Sequence, residues 1–450
     1  MSNGCCLKCL WNFFCCGCCR KTSLQIIDET TLLLPKNEKN KNIIEKTQLN
    51  CFGAVPFNSR DINGSVKKIV CGLSHCLLLI KENNLKNLYG FGLNDEGQLG
   101  IEVKNAPQEN QENFYKINIP QNIINNPNFK IADIAAGDNF SLVLIKEILE
   151  NQNENSVYHL LKFGINEKEK FRFGILSKVY ISELVLPENN MQIKHIYAFG
   201  KRMIIQKKNI ENKEFLYLGG IDFSGFELEQ FQPLKFFLQN NEKLFLDKKI
   251  KSISLGVNHC IILDNENNLY GIGDNTYGEL GNSNVNIDYF SLLDKNNLES
   301  VWLKNTDPKK SLKKKDFQIK KVVCGSRHTL ILSSDGKIFC LGDNSENQCY
   351  GLNTRIQRPI KLELGIEKEI IDVYAGYTHN LIIINNNNKE DVLTWGDATS
   401  GKLGYNEDHL SQSIPKEILA LKEKCVNYVC LGFQMSIIVT GSSKKALFKK

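Results

Sequence analysis

Four histidines share one setting in this sequence. His75, His259, His328 and His379 each stand three residues after a glycine and open an apolar run, as in Gly256-Val-Asn-His-Cys-Ile-Ile-Leu. Imidazole is the side chain best suited to proton transfer near neutral pH and to metal binding, so a set of four invites a catalytic reading. An active site, however, needs one unique arrangement of nucleophile, base and orienting group, and this setting is used four times. The repetition favours a structural hydrogen-bonding role. His159, His195 and His409 stand in irregular places with no visible partner. No phosphate-binding Gly-Lys-Ser/Thr loop, His-Glu-x-x-His or Gly-x-Ser-x-Gly element occurs. No enzyme of the hydrolytic kind, no metal and no cofactor is therefore expected.

The elements that hold these histidines repeat with them. In Gly256–Gly281 the glycine permits a tight backbone turn, Cys260–Leu263 reads as a strand, and Asn265–Asn268 as a polar turn. A second strand, Leu269–Gly273, runs into the turn formers Asp274-Asn275, Gly278 and Leu280-Gly281. Gly72-Leu-Ser-His75 opens a like unit that closes with Tyr89-Gly-Phe-Gly92 and Gly97-Gln-Leu-Gly100. Gly325-Ser-Arg-His328 leads to Phe339-Cys-Leu-Gly342, and Gly376-Tyr-Thr-His379 to Trp395-Gly-Asp and Gly401-Lys-Leu-Gly404. Weaker copies start at Gly137, Gly200 and Gly432, with Phe140, Met203 and Met435 in the histidine position. The copy at Gly200 carries Tyr217-Leu-Gly-Gly-Ile-Asp and lacks the closing Gly-x-Leu-Gly. A unit of short strands cannot bury a core alone, so seven of them point to a radial β-architecture in which each covers its neighbour.

Gly-x-x-His before an apolar strand, then aromatic-x-x-Gly-Asp-Asn and Gly-x-Leu-Gly, resembles the regulator of chromosome condensation repeat. The resemblance implies an all-β, seven-bladed β-propeller over residues 47–441, with its least regular boundaries between 150 and 250. Leu49-Asn-Cys-Phe-Gly53 looks like the end of a repeat without a beginning, whereas the copy at Gly432 stops after Ser436–Val439. The N-terminal strand is therefore expected to complete the C-terminal blade. For function the resemblance implies either a non-catalytic protein-binding platform or guanine-nucleotide exchange on a small GTPase. Neither comes with a short motif to locate it.

Outside the repeats, residues 1–24 concentrate cysteine: Cys5, Cys6, Cys9, Cys15, Cys16, Cys18 and Cys19, interleaved with Leu7, Leu10, Trp11, Phe13 and Phe14 and flanked by Lys8, Arg20 and Lys21. Apolar and cationic residues together suit an anionic leaflet, and clustered cysteines there are acceptors for palmitate. The apolar stretch is too short to span a bilayer, and Ser2 excludes N-myristoylation. A zinc cluster from Cys6 and Cys9 with Cys16 or Cys19, and an incidental cysteine-rich tail, are the competing readings. Residues 25–46 read as a linker, in which Asp28-Glu-Thr-Thr-Leu32-Leu33 has the form of a sorting signal. Residues 442–450 form a basic tail.

Among the other cysteines, Cys71 and Cys324 precede anchor glycines, and Cys76 and Cys260 follow anchor histidines. Equivalent slots suggest small buried side chains rather than ligands or disulfides, and with them a reducing compartment. Three insertions interrupt the repeats: 101–128, rich in Asn, Gln and Pro; 223–249, with Phe223, Phe226, Phe231, Phe236 and Phe237; and 282–316, with Lys309, Lys310, Lys313, Lys314 and Lys315. The phenylalanines either form a partner patch or pack an irregular blade. The lysines either contact acidic lipid, an import receptor or nucleic acid, or form a solvated loop. A net charge of +6 over 450 residues is too mild to argue for nucleic acid by itself. The expectation is a monomer at a cytoplasmic membrane surface, or alternatively in the nucleus, with an unidentified protein partner.

Overall fold

In the computed structural model the chain divides into two units, residues 1–43 and 44–450. The structure describes residues 47–54, 59–101, 114–117, 119, 128–147, 157–164, 181–187, 191–238, 241–243, 249–281, 286–293, 299, 317–349, 354–363, 368–387, 389–405 and 411–441.

Seven antiparallel sheets carry the second unit, each starting with a strand that ends at an anchor glycine. Blade 1 is Ser65–Cys71, His75–Glu82, Leu85–Gly92 and Tyr115–Ile117; blade 2 is Phe129–Ala136, Ser141–Glu147, Tyr158–Phe163 and Ile181–Leu184. Blade 3 comprises Gln192–Phe199, Arg202–Lys208, Glu214–Ile221 and Glu227–Pro233, and blade 4 Ile250–Leu255, His259–Asp264, Leu269–Asp274 and Asn286–Leu292. Blade 5 runs through Ile319–Cys324, His328–Ser333, Ile338–Asp343 and Arg355–Lys361, and blade 6 through Ile370–Ala375, His379–Asn386, Lys389–Gly396 and Gln412–Glu417. Blade 7 takes Cys425–Leu431 and Met435–Gly441 from the C-terminal end, then Thr47–Gly53 and Ser59–Ile62 from the N-terminal end. The first strands of successive blades touch in order, and the circle closes between Cys425–Leu431 and Ser65–Cys71. The expected seven-bladed propeller and its closure by an N-terminal strand are both present. Leu49 pairs with Val439, and the buried Asn50 amide donates to the Ile438 carbonyl at 3.1 Å and the Thr440 hydroxyl at 3.0 Å.

The core is distributed over the joints. Each joint between neighbouring blades holds its own apolar cluster, such as Leu263, Leu269 and Leu280 of blade 4 against Phe317, Val322 and Phe339 of blade 5. A second strand therefore has a joint on both faces, so His259–Asp264 and His328–Ser333 are buried at every residue. That is why these strands read as unbroken apolar runs instead of alternating ones.

Two features were not legible beforehand. Every first strand carries a register shift near its start, between Val66 and Lys68 in blade 1 and at the matching position in the other six. A bulge there bends the strand into the crowded centre and turns side chains toward the next blade. Lys251 and Lys320 use this to donate across joints to the carbonyls of Ile319 (2.8 Å) and Ile371 (2.7 Å), and Lys321 meets Asp372 at 2.8 Å. The phenylalanine-rich stretch expected as an insertion over 223–249, secondly, is only partly one. Glu227–Pro233 is blade 3's own outer strand, and the rest forms a hairpin in which Phe236–Leu238 pairs with Asn241–Lys243 and runs parallel to Asn286–Leu292, so that blade 4 has six strands.

Candidate binding face

Strand polarity sorts the loops onto two ends of the ring. The anchor loops, between first and second strands, and the turns after third strands lie at one end. The hairpins between second and third strands, and the connections from blade to blade, lie at the other.

At the anchor-loop end the seven glycines 72, 137, 200, 256, 325, 376 and 432 form an inner circle. The turn is tight, with Gly256 N–H bonded to His259 O at 2.8 Å, and a side chain would obstruct it. The demand is for space and not for unusual angles, since only Gly200 (φ +59°) of the seven lies in the left-handed region. A Cβ on Gly325 would lie 2.0 Å from the His328 ring and 2.6 Å from the Gly376 carbonyl oxygen of the next blade. Backbone bonds link these loops: Leu73 N–H to Asp138 O (3.1 Å), Asp138 N–H to Gly200 O (2.7 Å), Val257 N–H to Ser326 O (3.0 Å) and Ser326 N–H to Tyr377 O (3.0 Å). Between blades 3 and 4 the buried Arg202 guanidinium takes this role, donating to the Val257 carbonyl and, at 3.1 Å, to the Asn258 side-chain oxygen.

Each anchor histidine is tied into a relay at Nε2, while the Nδ1 atoms of His75, His328 and His379 are buried without a hydrogen-bond partner. His75 Nε2 lies 2.8 Å from Ser141 Oγ, which donates to the Gln98 carbonyl at 2.8 Å. His259 pairs with Thr329 Oγ1 (3.1 Å), which donates to Glu279 O (2.9 Å). His328 pairs with Asn380 Oδ1 (2.7 Å), whose amide donates to Gln348 O (2.8 Å). His379 pairs with Ser436 Oγ (2.8 Å), which donates to Lys402 O (2.7 Å). The partner always comes from the following blade, and the carbonyl from the histidine's own closing turn, Gly-x-Leu-Gly in blades 1, 4 and 6 and Asn347-Gln-Cys-Tyr350 in blade 5. Because each hydroxyl proton goes to a carbonyl, and an amide oxygen can only accept, Nε2 must carry the proton in all four. Burial lowers His75 and His328 to about 4 and His259 and His379 to about 3, so the rings stay neutral. A neutral, buried imidazole bonded at Nε2 to the next blade is a fastener, as the repetition implied.

The same end carries groups that the sequence reading did not single out. Tyr377 of blade 6 donates its hydroxyl to Asp138 of blade 2, stacks on Phe199 of blade 3 (4.7 Å) and meets Phe433 of blade 7 edge-on (5.3 Å). Blades 6 and 2 are not neighbours, so this side chain crosses the axis and fills its mouth. Near the rim, Tyr277 lies between the exposed guanidiniums of Arg327 (5.2 Å) and Arg355 (4.9 Å). Phe226 stands exposed on a turn whose Ser224 and Phe226 N–H groups bond Asp222 Oδ1 at 3.0 and 2.8 Å. The phenylalanines thus divide: Phe226 is presented to solvent, whereas Phe223 packs under Arg202 and Phe231 packs against Gly219.

The other residues fall as follows. Cys76, Cys260 and Cys324 are buried free thiols, Cys71 a half-buried one, and burial raises all four. Cys340 and Cys349, which stand outside the equivalent slots, are joined as a disulfide inside blade 5. His195, without a partner in the sequence, sits with Nδ1 3.6 Å from Asp133 Oδ2. The lipidation candidates Cys5–Cys19, the linker, Lys309–Lys315 and the tail lie outside the described residues. Among the described residues no group of histidines, cysteines and carboxylates has metal-binding geometry, and no helix is long and apolar enough to cross a membrane.

Two sequence profiles described as "Regulator of chromosome condensation (RCC1) repeat" match the chain, one over residues 250–279 and 319–348, the other over 87–144 and 266–332. This is an RCC1-like repeat β-propeller protein. An RCC1 repeat-containing protein of Dictyostelium discoideum is 28% identical over 186 residues, 40% of this chain and 34% of the relative, so the match spans about a third of that protein. Human WBSCR16 superposes with a TM-score of 0.63 at 14% identity, covering 88% of this chain and 98% of that one. Prp20p of Saccharomyces cerevisiae, whose crystal structure was described with its binding to Gsp1p and histones, gives 0.61 at 18% identity over 91% and 94%. At such identities these RCC1-like structures attest the fold.

Proposed function

We propose that this RCC1-like propeller is a non-catalytic protein-binding platform, tethered to a membrane surface by S-acylation of the cysteines between Cys5 and Cys19. The observation that carries the platform reading is the use made of its buried polar groups. Among the described residues all four anchor histidines, Arg202, Lys321 and the Asp138–Tyr377 pair are committed to bonds between blades, and the Ser141, Thr329 and Ser436 hydroxyls beside three of the histidines give their protons to carbonyls and not to a base. What the rigid ring offers to a partner is its anchor-loop end, where Phe226 and the Arg327–Tyr277–Arg355 stack are exposed and held in place. Aromatic and arginine side chains on a stiff frame are the usual anchors of protein recognition. The tether reading is supported by the composition of residues 1–24. It is tested by membrane fractionation in the producing cells with and without hydroxylamine, which cleaves thioesters. Release into the soluble fraction is expected; a pool that is soluble beforehand, or nuclear, counts against it.

A second reading is regulation of, or nucleotide exchange on, a small GTPase. It draws on the resemblance and on the solved relative described with Gsp1p. Nucleotide release from a panel of purified GTPases tests it, with Phe226→Ala and Arg327→Ala as the variants expected to slow release.

A further inference from the structure

Eight large hydrophobic side chains are exposed among the described residues, and their distribution is uneven. Tyr115 and Phe226 lie toward the anchor-loop end, and Ile414 lies midway along an outer strand. The other five lie at the hairpin end. Leu85 (69% exposed) and Ile210 (97%) sit at the hairpins of blades 1 and 3, and Val157 (42%) precedes the third strand of blade 2. Val185 (86%) follows the last strand of blade 2, and Leu419 (71%) leads from blade 6 into blade 7. Exposed aliphatics are ordinary when scattered singly. Here they occupy one arc, running from the entry of blade 7 through blades 1 and 2 to blade 3.

The hairpins outside that arc are polar. Blade 4 turns through Asp264, Asn265, Glu266 and Asn268, blade 5 through Ser334 and Asp335, and blade 6 through Asn385, Asn386 and Asn387. Within the arc three of the aliphatic tips each carry two lysines and one glutamate, a net positive charge: Lys81, Lys86 and Glu82 around Leu85, Lys208, Lys213 and Glu211 around Ile210, and Lys422, Lys424 and Glu423 after Leu419. Lys86, Lys213 and Lys424 bond within the protein, which leaves Lys81, Lys208 and Lys422 to face outward. Thr47, where the described chain begins, pairs with Gly441 at this same end, inside the arc. The segment of 46 residues that carries the cysteine cluster therefore joins the ring beside these tips.

We propose that this arc is a membrane-seating surface, in which the aliphatic tips dip into an anionic leaflet and the lysines meet its phosphates. The inference rests on the tether reading and extends it, because a lipid anchor alone would leave the orientation of the propeller free. Isolated aliphatic tips with flanking lysines suit an interface of lipid chains and headgroups, which needs no shaped pocket. The seating turns the anchor-loop end, with Phe226 and Arg327, away from the bilayer and toward a soluble partner.

The test uses the full chain, unacylated, carrying an N-terminal histidine tag, recruited to vesicles of phosphatidylcholine and phosphatidylserine with a nickel-chelating lipid. Tryptophan is placed at Ile210 in one variant and at Phe226 in another, both solvent-exposed positions. Expected is a blue shift and quenching by brominated lipid for Ile210→Trp, with no change for Phe226→Trp. Combining Leu85→Glu and Ile210→Glu, with thermal unfolding unchanged, should lower untagged partitioning onto the same vesicles about tenfold or more. Quenching at position 226 instead, or at neither position, overturns the proposal. Since this protein bears no acyl chain, the outcome is separate from the hydroxylamine result: quenching at 210 with hydroxylamine-insensitive cell membranes keeps the seating and removes the acylation.

Discussion

The seven joints of the ring are of two kinds. The joints after blades 1, 4, 5 and 6 are fastened by a histidine that meets Ser141, Thr329, Asn380 or Ser436 in the next blade. After blades 2, 3 and 7 the histidine position holds Phe140, Met203 or Met435, and the matching position of the next blade holds Ile204, Cys260 or Cys76. The two positions change together because a buried hydroxyl or amide without a partner costs about 1–3 kcal/mol, as does an imidazole without one. Repeats that look degenerate are therefore consistent pairs, each apolar on both sides. The rule also explains the cysteines after anchor histidines. Cys76 does not face the ring of its neighbour His75 but shares a cluster with Met435 of the preceding blade.

The sharpest way to break this ring is at the joint where the chain itself is discontinuous. Blade 7 holds Thr47–Gly53 without chain continuity, by strand pairing, by the Asn50 side-chain bonds, and by Leu49 and Cys51 in one apolar cluster with Ile437 and Val439. Removing residues 1–60 should abolish cooperative thermal unfolding, since two strands would be left with an open edge. Removing residues 1–24 should leave the melting temperature nearly unchanged. Equal melting of the two truncations would mean that the N-terminal strand does not close the ring.

Acid should separate the two kinds of joint next. The four histidines are buried and neutral when folded and titrate at about 3 or 4, against an ordinary value of 6.5. A depressed pKa means that the unfolded chain binds the extra protons first. The stability of the polar joints is thus fully present above pH 6.5 and is lost as pH falls toward 4. Each histidine contributes up to about 1.4 kcal/mol per pH unit over that range, and the sum from pH 7 to pH 5 is on the order of 5 kcal/mol after allowing for opposing carboxyls. Urea midpoints should fall steeply below pH 6.5; a flat profile down to pH 5 would show that the rings are not buried neutral.

Converting one joint tests the pairing directly. His328→Ala strands the Asn380 side-chain oxygen and opens a cavity, and should cost about 2–4 kcal/mol by urea unfolding. Pairing it with Asn380→Leu should be less than additive by at least about 1 kcal/mol, because the second change removes the orphan created by the first. Strict additivity would mean that the 2.7 Å contact carries no coupling.

Sequence periodicity made the scaffold readable where repeats agree. Gly72, Gly256, Gly325 and Gly376 with their histidines located four blades outright, because close backbone approach leaves no alternative to glycine. The signal for the partners was also present, as a polar residue four after the glycine of each following blade, but it becomes visible only once the blades are known to be neighbours. Tyr377 could not be found this way: it reaches Asp138 and Phe199 across the axis, and no local spacing encodes a contact between non-adjacent blades. The bulges escaped notice for a related reason. Lys67, Lys251 and Lys320 carry no local mark that sets them apart from the polar residues of an ordinary strand, and the shift appears only in the pairing.

A finer division exists among the fastened joints. The second residue of the closing turn, before a leucine in blades 1, 4 and 6 and before Cys349 in blade 5, is buried in all four, as Gln98, Glu279, Gln348 and Lys402. Gln98 Oε1 accepts the Glu96 N–H at 2.9 Å, and Gln348 Oε1 the Glu346 N–H at 2.7 Å; Glu279 accepts the Tyr277 N–H at 3.0 Å in the same way. A carboxylate in a slot shaped for an amide is disfavoured, and burial, with the charge of Asp274 adding to it, pushes Glu279 up to about 7. Its folded pKa lies above the unfolded value, so its contribution is present below about pH 4.5 and is lost as pH rises through 7. Glu279→Gln keeps the acceptor and removes the charge. It should stabilise the propeller by about 2 kcal/mol at pH 8 and by nothing at pH 4.5, measured as urea midpoints at the two values. A gain of equal size at both would assign the effect to packing and leave the blade 4 joint no different from those of blades 1 and 5.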